Sequence, residues 1–186
     1  VGRKKFLPLI APNGIRVANG EQEIRFRNGS VIMFGAREHG FGRGMDAIDF
    51  LVLDEAQKLS LKALEDMVPA TNQAKNPHGA LVFFIGTPPR PSDDGEAFSA
   101  KRQAAIEGRT TDQVYVELSA DPDAGSDDRS QWPTMNPSYP HRTPLESMLR
   151  MRENIPDVVS WRREAMGGWD LSVNTAEVDI ETWDAL

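Results

Sequence analysis

Two adjacent carboxylates, Asp54 and Glu55, follow directly on four apolar residues, Phe50-Leu51-Val52-Leu53, and lead into Ala56-Gln57. Four apolar residues are too few for a buried helix and suit a strand covered on both faces, so the pair is predicted to stand at the carboxyl end of a core strand. That position has a chemistry. The first acid reaches the shell of a divalent cation, and the second reaches a water that attacks a phosphoryl group. The bland alternative is an Asp-Glu pair capping the helix that follows a core strand, and the pair alone does not separate the two readings.

A second apolar run, Ala80-Leu81-Val82-Phe83-Phe84-Ile85, ends in Gly86-Thr87-Pro88-Pro89. A hydroxyl at the carboxyl end of a strand beside the first can touch a γ-phosphate or its water. The alternative is an ordinary strand-to-loop turn, and the neighbouring carboxylates tip the balance toward the sensor. Apolar strand, Asp and Glu form the Walker B pattern of P-loop nucleoside triphosphatases. Its usual companion is missing, because no Gly-Lys-Ser or Gly-Lys-Thr occurs anywhere in the chain. Gly40-Phe41-Gly42-Arg43-Gly44 is glycine-rich and carries an arginine, yet its spacing matches neither a dinucleotide fingerprint nor the Walker A loop. Walker A lies amino-terminal to Walker B, so the chain is expected to lack the front of its own domain and to begin at a fragment boundary.

The elements that must position these groups are legible in outline. Residues 1–20 hold short apolar pieces among the turn residues Pro8, Pro12-Asn13-Gly14 and Asn19-Gly20. Glu23 to Arg27 alternate polar and apolar, Asn28-Gly29 suits a two-residue type I′ turn, and Ser30 to Gly35 return as a second strand. Ser60 can cap a helix with Leu61, Leu64, Met67 and Val68 on one face, closed by Pro69. A helix over 97–107 with Gly108 as its stop precedes a third strand, Gln113 to Leu118. Two strand–helix–strand passages in succession predict an α/β fold with a parallel sheet flanked by helices. Thr143-Pro144-Leu145-Glu146 reads as a capping box opening a helix, and a further helix over 157–166 stops at Gly167-Gly168, with Trp161 read as core.

Composition sets outer limits. The 186 residues are 39% hydrophobic, enough for a real core, and contain no cysteine, which excludes disulfides and thiolate metal sites. No run approaches the length of a membrane helix and no signal-peptide pattern opens the chain, so a cytoplasmic protein is expected. The net charge of −7 is uneven, at +4 over residues 1–46 and −11 over the rest; a phosphate or nucleic-acid face is compatible with this, a solvated surface more ordinary. Asp121, Asp123, Asp127 and Asp128 fail the calcium-loop frame at Gly125 and Trp132 and read as an acidic loop. His39, His78 and His141 share no ligand spacing.

Taken in order, Arg25-Phe26-Arg27-Asn28-Gly29-Ser30, Gly42-Arg43-Gly44, Leu51 to Ala56, Ile85-Gly86-Thr87-Pro88, Asn136-Pro137-Ser138 and Trp161-Arg162-Arg163-Glu164 with Gly167-Gly168-Trp169 make a chain that resembles the large subunit of a tailed-phage or prophage DNA-packaging terminase. The resemblance implies part of a P-loop ATPase domain of the additional-strand, catalytic-glutamate type over residues 1–170, lacking its Walker A portion. Residues 171–186 would then begin a linker toward a nuclease domain. It implies ATP and Mg²⁺ as substrate and cofactor, double-stranded DNA, a portal protein and a small terminase subunit as partners, a homo-oligomeric ring, and the host cytoplasm as location. By the same analogy Asp54 helps hold Mg²⁺, Glu55 activates water, Gly86 and Thr87 contact nucleotide and couple hydrolysis to motion, and Arg43 is supplied to a neighbouring subunit's nucleotide. The chain alone is expected to be inactive and to bind ATP weakly or not at all.

Two other readings stay open. Asp54-Glu55-Ala56-Gln57 also resembles the DEAD-like box of a superfamily 2 helicase or translocase, which calls for a Ser-Ala-Thr motif where this chain has Gly-Thr-Pro. The other is a non-catalytic interaction domain that keeps such a fold without binding nucleotide, and nucleotide binding by the purified chain separates it.

Overall fold

The computed structural model of the chain describes residues 3–18, 20, 22–36, 45 and 47–169. They fall into two compact units, Val1–Asp49 with Lys62–Ala80, and Phe50–Leu61 with Leu81–Leu186. The Gly40–Gly44 loop with Arg43, and residues 171–186, lie outside the described residues.

In the first unit a single helical turn, α1 (Arg3–Phe6), precedes three antiparallel strands in the order β1 (Ile10–Arg16), β2 (Gln22–Phe26) and β3 (Val31–Phe34). The expected hairpin is present, with Gln22 opposite Phe34 and Arg25 opposite Val31. Its turn differs. Gly29 N–H donates to Phe26 O (3.0 Å), Phe26 N–H donates to Ser30 O (2.8 Å), and of the turn residues only Gly29 has a positive φ, 88°. A three-residue loop, Arg27-Asn28-Gly29, therefore replaces the two-residue turn. Asn28 Oδ1 accepts from Ser30 N–H (3.0 Å), a local bond that substitutes for the left-handed conformation a type I′ turn would demand of Asn28. The turn-rich 10–16 stretch is itself a strand, because Asn13 takes φ 56° and the register shifts between Ile10 and Ile15, absorbing Pro12-Asn13-Gly14 in a bulge. The helix after Ser60 is α2 (Leu61–Met67), and Pro69 sits in a 3₁₀ turn, Val68–Thr71, that carries the chain one step further.

In the second unit β4 (Phe50–Leu53) pairs in parallel with β5 (Leu81–Phe84), from Phe50 opposite Leu81 to Leu53 opposite Phe84. Parallel strands and helices together make the chain mixed α/β. Two expectations are corrected here. The strand carrying the carboxylates is not covered on both faces: Leu51 and Leu53 are buried, but Phe50 and Val52 are 62% and 57% exposed. Nor do residues 113–118 form a third strand, since they make no ladder and Val114 is 91% exposed. That segment is pinned by side chains instead, with Arg102 Nε donating to Glu117 Oε2 (2.9 Å) and the Tyr115 hydroxyl donating to the same carboxylate. The parallel sheet of the described residues is thus a single pair of strands.

The helical remainder comprises α3 (Glu96–Ile106), α4 (Trp132–Met135), α5 (Leu145–Asn154) and α6 (Val158–Glu164). Past the end of α3, Arg109 N–H donates to Ala104 O (2.9 Å) and Gly108 N–H to Ala105 O (3.1 Å), the paired bonds of a Schellman stop. The capping box at α5 does not form. Pro144 occupies the N-cap and no side chain caps it; its carbonyl accepts from Ser147 N–H (3.0 Å) and Met148 N–H (3.2 Å). Trp132, Met135, Met148, Trp161 and Met166 pack into one core with Ala120. Trp161 is fully buried, as its reading as core predicts, and its Nε1–H donates to Ser126 O (2.8 Å). Among the described residues no helix is long and apolar enough to cross a membrane.

Candidate functional site

The β4–β5 ladder continues past both strand ends. Ile85 N–H donates to Leu53 O (3.0 Å) and Ala56 N–H to Ile85 O (2.9 Å), which fixes residues 54–57 beside residues 85–87 at the carboxyl edge of the pair. Parallel pairing brings the two carboxyl ends together whatever the sequence between them, so the acids of one strand and the Gly-Thr-Pro of the other share one cavity. Its volume is about 360 Å³, and Asp54, Glu55, Gly86 and Thr87 line it together with Gln57, Lys58, Arg90, Asp93 and Glu164.

Asp54 leaves the strand first, and its Oδ1 accepts from the Glu55 N–H (3.0 Å). Glu55 then takes a left-handed backbone, φ 50° and ψ 48°. A non-glycine residue holds that conformation only where its surroundings impose it, and such strain gathers at functional sites. The bend turns the Glu55 side chain aside from the strand direction, where its Oε2 accepts from Lys58 Nζ (2.6 Å) in an exposed ion pair. No side chain caps the following 3₁₀ turn, Ala56–Lys58.

Gln57 holds the two strand ends at a fixed spacing. It is 7% exposed, and its Oε1 accepts, at a long 3.4 Å, from the backbone N–H of Thr87. The same oxygen fills the place a Cβ on Gly86 would occupy, with Ala56 N (3.2 Å) and Gln57 N (3.3 Å) close behind. Further along, Gly95 lies against the Pro89 ring, with Gln57 O 3.1 Å from where its Cβ would stand, and Pro88 is buried. The loop 86–95 is thereby clamped at both ends against one glutamine. Arg90 projects from it, and its Nε donates to Glu164 Oε1 (2.8 Å) at the end of α6. The Glu164 hydrogen bond first, and the Glu164 charge next, hold the guanidinium pKa above its ordinary value, with smaller contributions from Asp93 and Glu55.

Asp54, Glu55, Gly86 and Thr87 are thus brought together, while Arg43 lies outside the described residues. Gln57 and Glu164 enter the sequence reading only as members of the motifs Asp54-Glu55-Ala56-Gln57 and Trp161-Arg162-Arg163-Glu164, and Lys58, Arg90 and Asp93 carry no role in it. Lys58 follows Glu55 at three residues and Arg90 is the first cation after Thr87, both visible as local signals; Glu164, 74 residues from Arg90, has none. Four carboxylates against two cations leave the lining with a formal excess of two negative charges. Such a lining repels an anion, and a divalent cation bound to that anion reduces the repulsion. Among the described residues no group of three or more acids or histidines is placed to hold an ion unaided. Mg²⁺ is commonly held by one or two carboxylates with water and substrate phosphate in the remaining positions, and Asp54 and Glu55 are the carboxylates at the strand edge that could serve in that way.

Compared with protein-family models, curated proteins and solved structures, the chain finds no match.

Proposed function

We propose that this chain carries the hydrolysis half of a P-loop nucleoside triphosphatase, the ATPase of a terminase-type motor that drives double-stranded DNA into a viral capsid. One observation carries the reading: Asp54 and a backbone-strained Glu55 stand at the carboxyl edge of β4, in one cavity with Gly86-Thr87 at the edge of its parallel neighbour. Mg²⁺, when bound, would neutralise the phosphate oxygens between which charge moves. Asp54, first beyond the strand, would help hold the metal. Glu55 releases Lys58 and takes the proton of the attacking water. Thr87, its amide fixed by Gln57, reports the state of the terminal phosphate to the loop that follows. On this reading the partners are DNA, a portal protein, a small terminase subunit and further copies in a ring, with Arg43 reaching a neighbour's nucleotide.

The test separates the two acids within an assembled packaging motor. Glu55→Gln keeps shape and loses the base, so ATP still binds while turnover falls by roughly 10²–10⁴. Asp54→Asn weakens the Mg²⁺ dependence of binding as well as the rate. Parental turnover and DNA uptake in Glu55→Gln would rule the reading out.

A further inference from the structure

The Arg90–Glu164 pair is not explained by the two-carboxylate chemistry. It is the one place where α6, whose Trp161 is fully buried in the helical core, reaches the wall of the cavity that also holds Asp54 and Glu55. The pair is monodentate, with one bond of 2.8 Å through Nε, which leaves the remaining guanidinium N–H groups available in a fork that suits phosphate oxygens. The loop beneath Arg90 is held by the Gly86–Gln57 and Gly95–Pro89 contacts, and the Arg90 backbone N–H donates to Asp93 Oδ2 (2.9 Å), so the cation is presented from a fixed base. The other cation of the lining, Lys58, is engaged with Glu55.

Resting on the nucleotide reading above, we propose that Arg90 is a phosphate-binding residue acting within its own subunit, and that Glu164 is the counter-ion it exchanges for the polyphosphate of a magnesium nucleotide. In the ligand-free state Glu164 keeps the guanidinium neutralised at the cavity wall. An incoming metal–phosphate group offers more oxygens in the same place and draws Arg90 off the carboxylate. Occupancy is then communicated to α6 by loss of that ion pair, with Trp161 and the Arg162 bond to Ala124 O (2.7 Å) holding the rest of the helix to its core.

The two members of the pair then respond with opposite sign, and direct contact is read separately at the Arg90 side-chain Nε–H, whose exchange of Glu164 for phosphate a long-range effect of the two charges does not produce. Mg-ATP is titrated into the ¹⁵N-labelled chain at millimolar concentrations and followed at the Arg90 side-chain Nε–H. The parent responds weakly; Glu164→Gln, with Arg90 released, binds roughly three- to tenfold more tightly; Arg90→Ala, followed at backbone amides of residues 54–57 and 86–87, binds roughly tenfold more weakly, and Arg90→Lys falls between. Thermal melts identify any variant that has lost its fold, and Arg90→Lys then carries the comparison. Loss of binding in Asp54→Asn alone, with the Arg90 and Glu164 variants equal to the parent, overturns the proposal and leaves the metal reading of Asp54 standing. The same shift in both variants, or no response in any protein, also overturns it. Failure of the proposed hydrolysis shows up elsewhere, as parental turnover in the Glu55→Gln motor, which this titration does not read.

Discussion

Gly86→Ala tests whether the two strand ends are held by the Gln57 side chain. A Cβ at position 86 meets Gln57 Oε1 head-on and also comes within 3.2 Å of Ala56 N and 3.3 Å of Gln57 N. The amide oxygen is the mobile end of a side chain and can swing; the two backbone nitrogens, held in the ladder by Ala56 N–H to Ile85 O, cannot. Swinging Gln57 gives up its bond to Thr87 N–H and turns a buried amide away from its partner. Together the crowding and the lost bond cost about 1–3 kcal/mol, with most of it in moving the glutamine. Gln57→Ala alone removes the same bond and opens a small void, for about 1–2 kcal/mol. In Gly86→Ala/Gln57→Ala the new methyl enters the space the amide has left, so the double variant is less destabilised than the sum of the singles by about 1 kcal/mol. Urea unfolding followed by far-UV circular dichroism measures all four proteins. Additive losses, or a Gly86→Ala protein as stable as the parent, would refute the claim that Gln57 sets the spacing of the site.

The remaining expectations concern the frame around the site. Burial first, and then donation of its hydroxyl to Glu117, push the Tyr115 phenol up to about 12, so in an alkaline spectrophotometric titration one of the two tyrosines ionises late, and Tyr115→Phe removes that late step. Because the folded value lies above the ordinary phenol value of about 10, this group's contribution to stability is complete below pH ~10 and declines as pH rises toward 12; a Tyr115→Phe protein that keeps the late step would contradict the hydrogen bond to Glu117. Trp161→Ala empties the centre of the helical core and costs about 3–5 kcal/mol, whereas Trp161→Phe mainly loses the indole bond to Ser126 O and some volume, for about 1–2 kcal/mol; equal urea midpoints for the two would contradict a buried, hydrogen-bonded indole.

What the amino-acid order determined by itself is local. The apolar runs 50–53 and 81–84, the hairpin, the Gly108 stop and the anchoring of Trp161 all rest on contacts within a few residues or on the burial of an apolar side chain, and periodicity and turn chemistry report both. Asp54-Glu55 and Gly86-Thr87 were legible as separate groups for the same reason. The sequence reading expected the two strands side by side, and the tertiary structure supplied the parallel register and the cavity, joining strand ends 30 residues apart through Gln57 and Thr87. It also decided against the strand at 113–118. That segment has the residue types of a strand, but a ladder needs a neighbour, and Arg102 captured Glu117 instead. The exposed face of Phe50 and Val52 has the same origin, since a residue type states what burial would gain and says nothing of whether a layer is present to provide it. Arg90 and Glu164 are the furthest case. Neither has a site role in the sequence, where Glu164 figures only as the last residue of the Trp161–Glu164 motif, and their meeting depends on where the core around Trp161 places the end of α6.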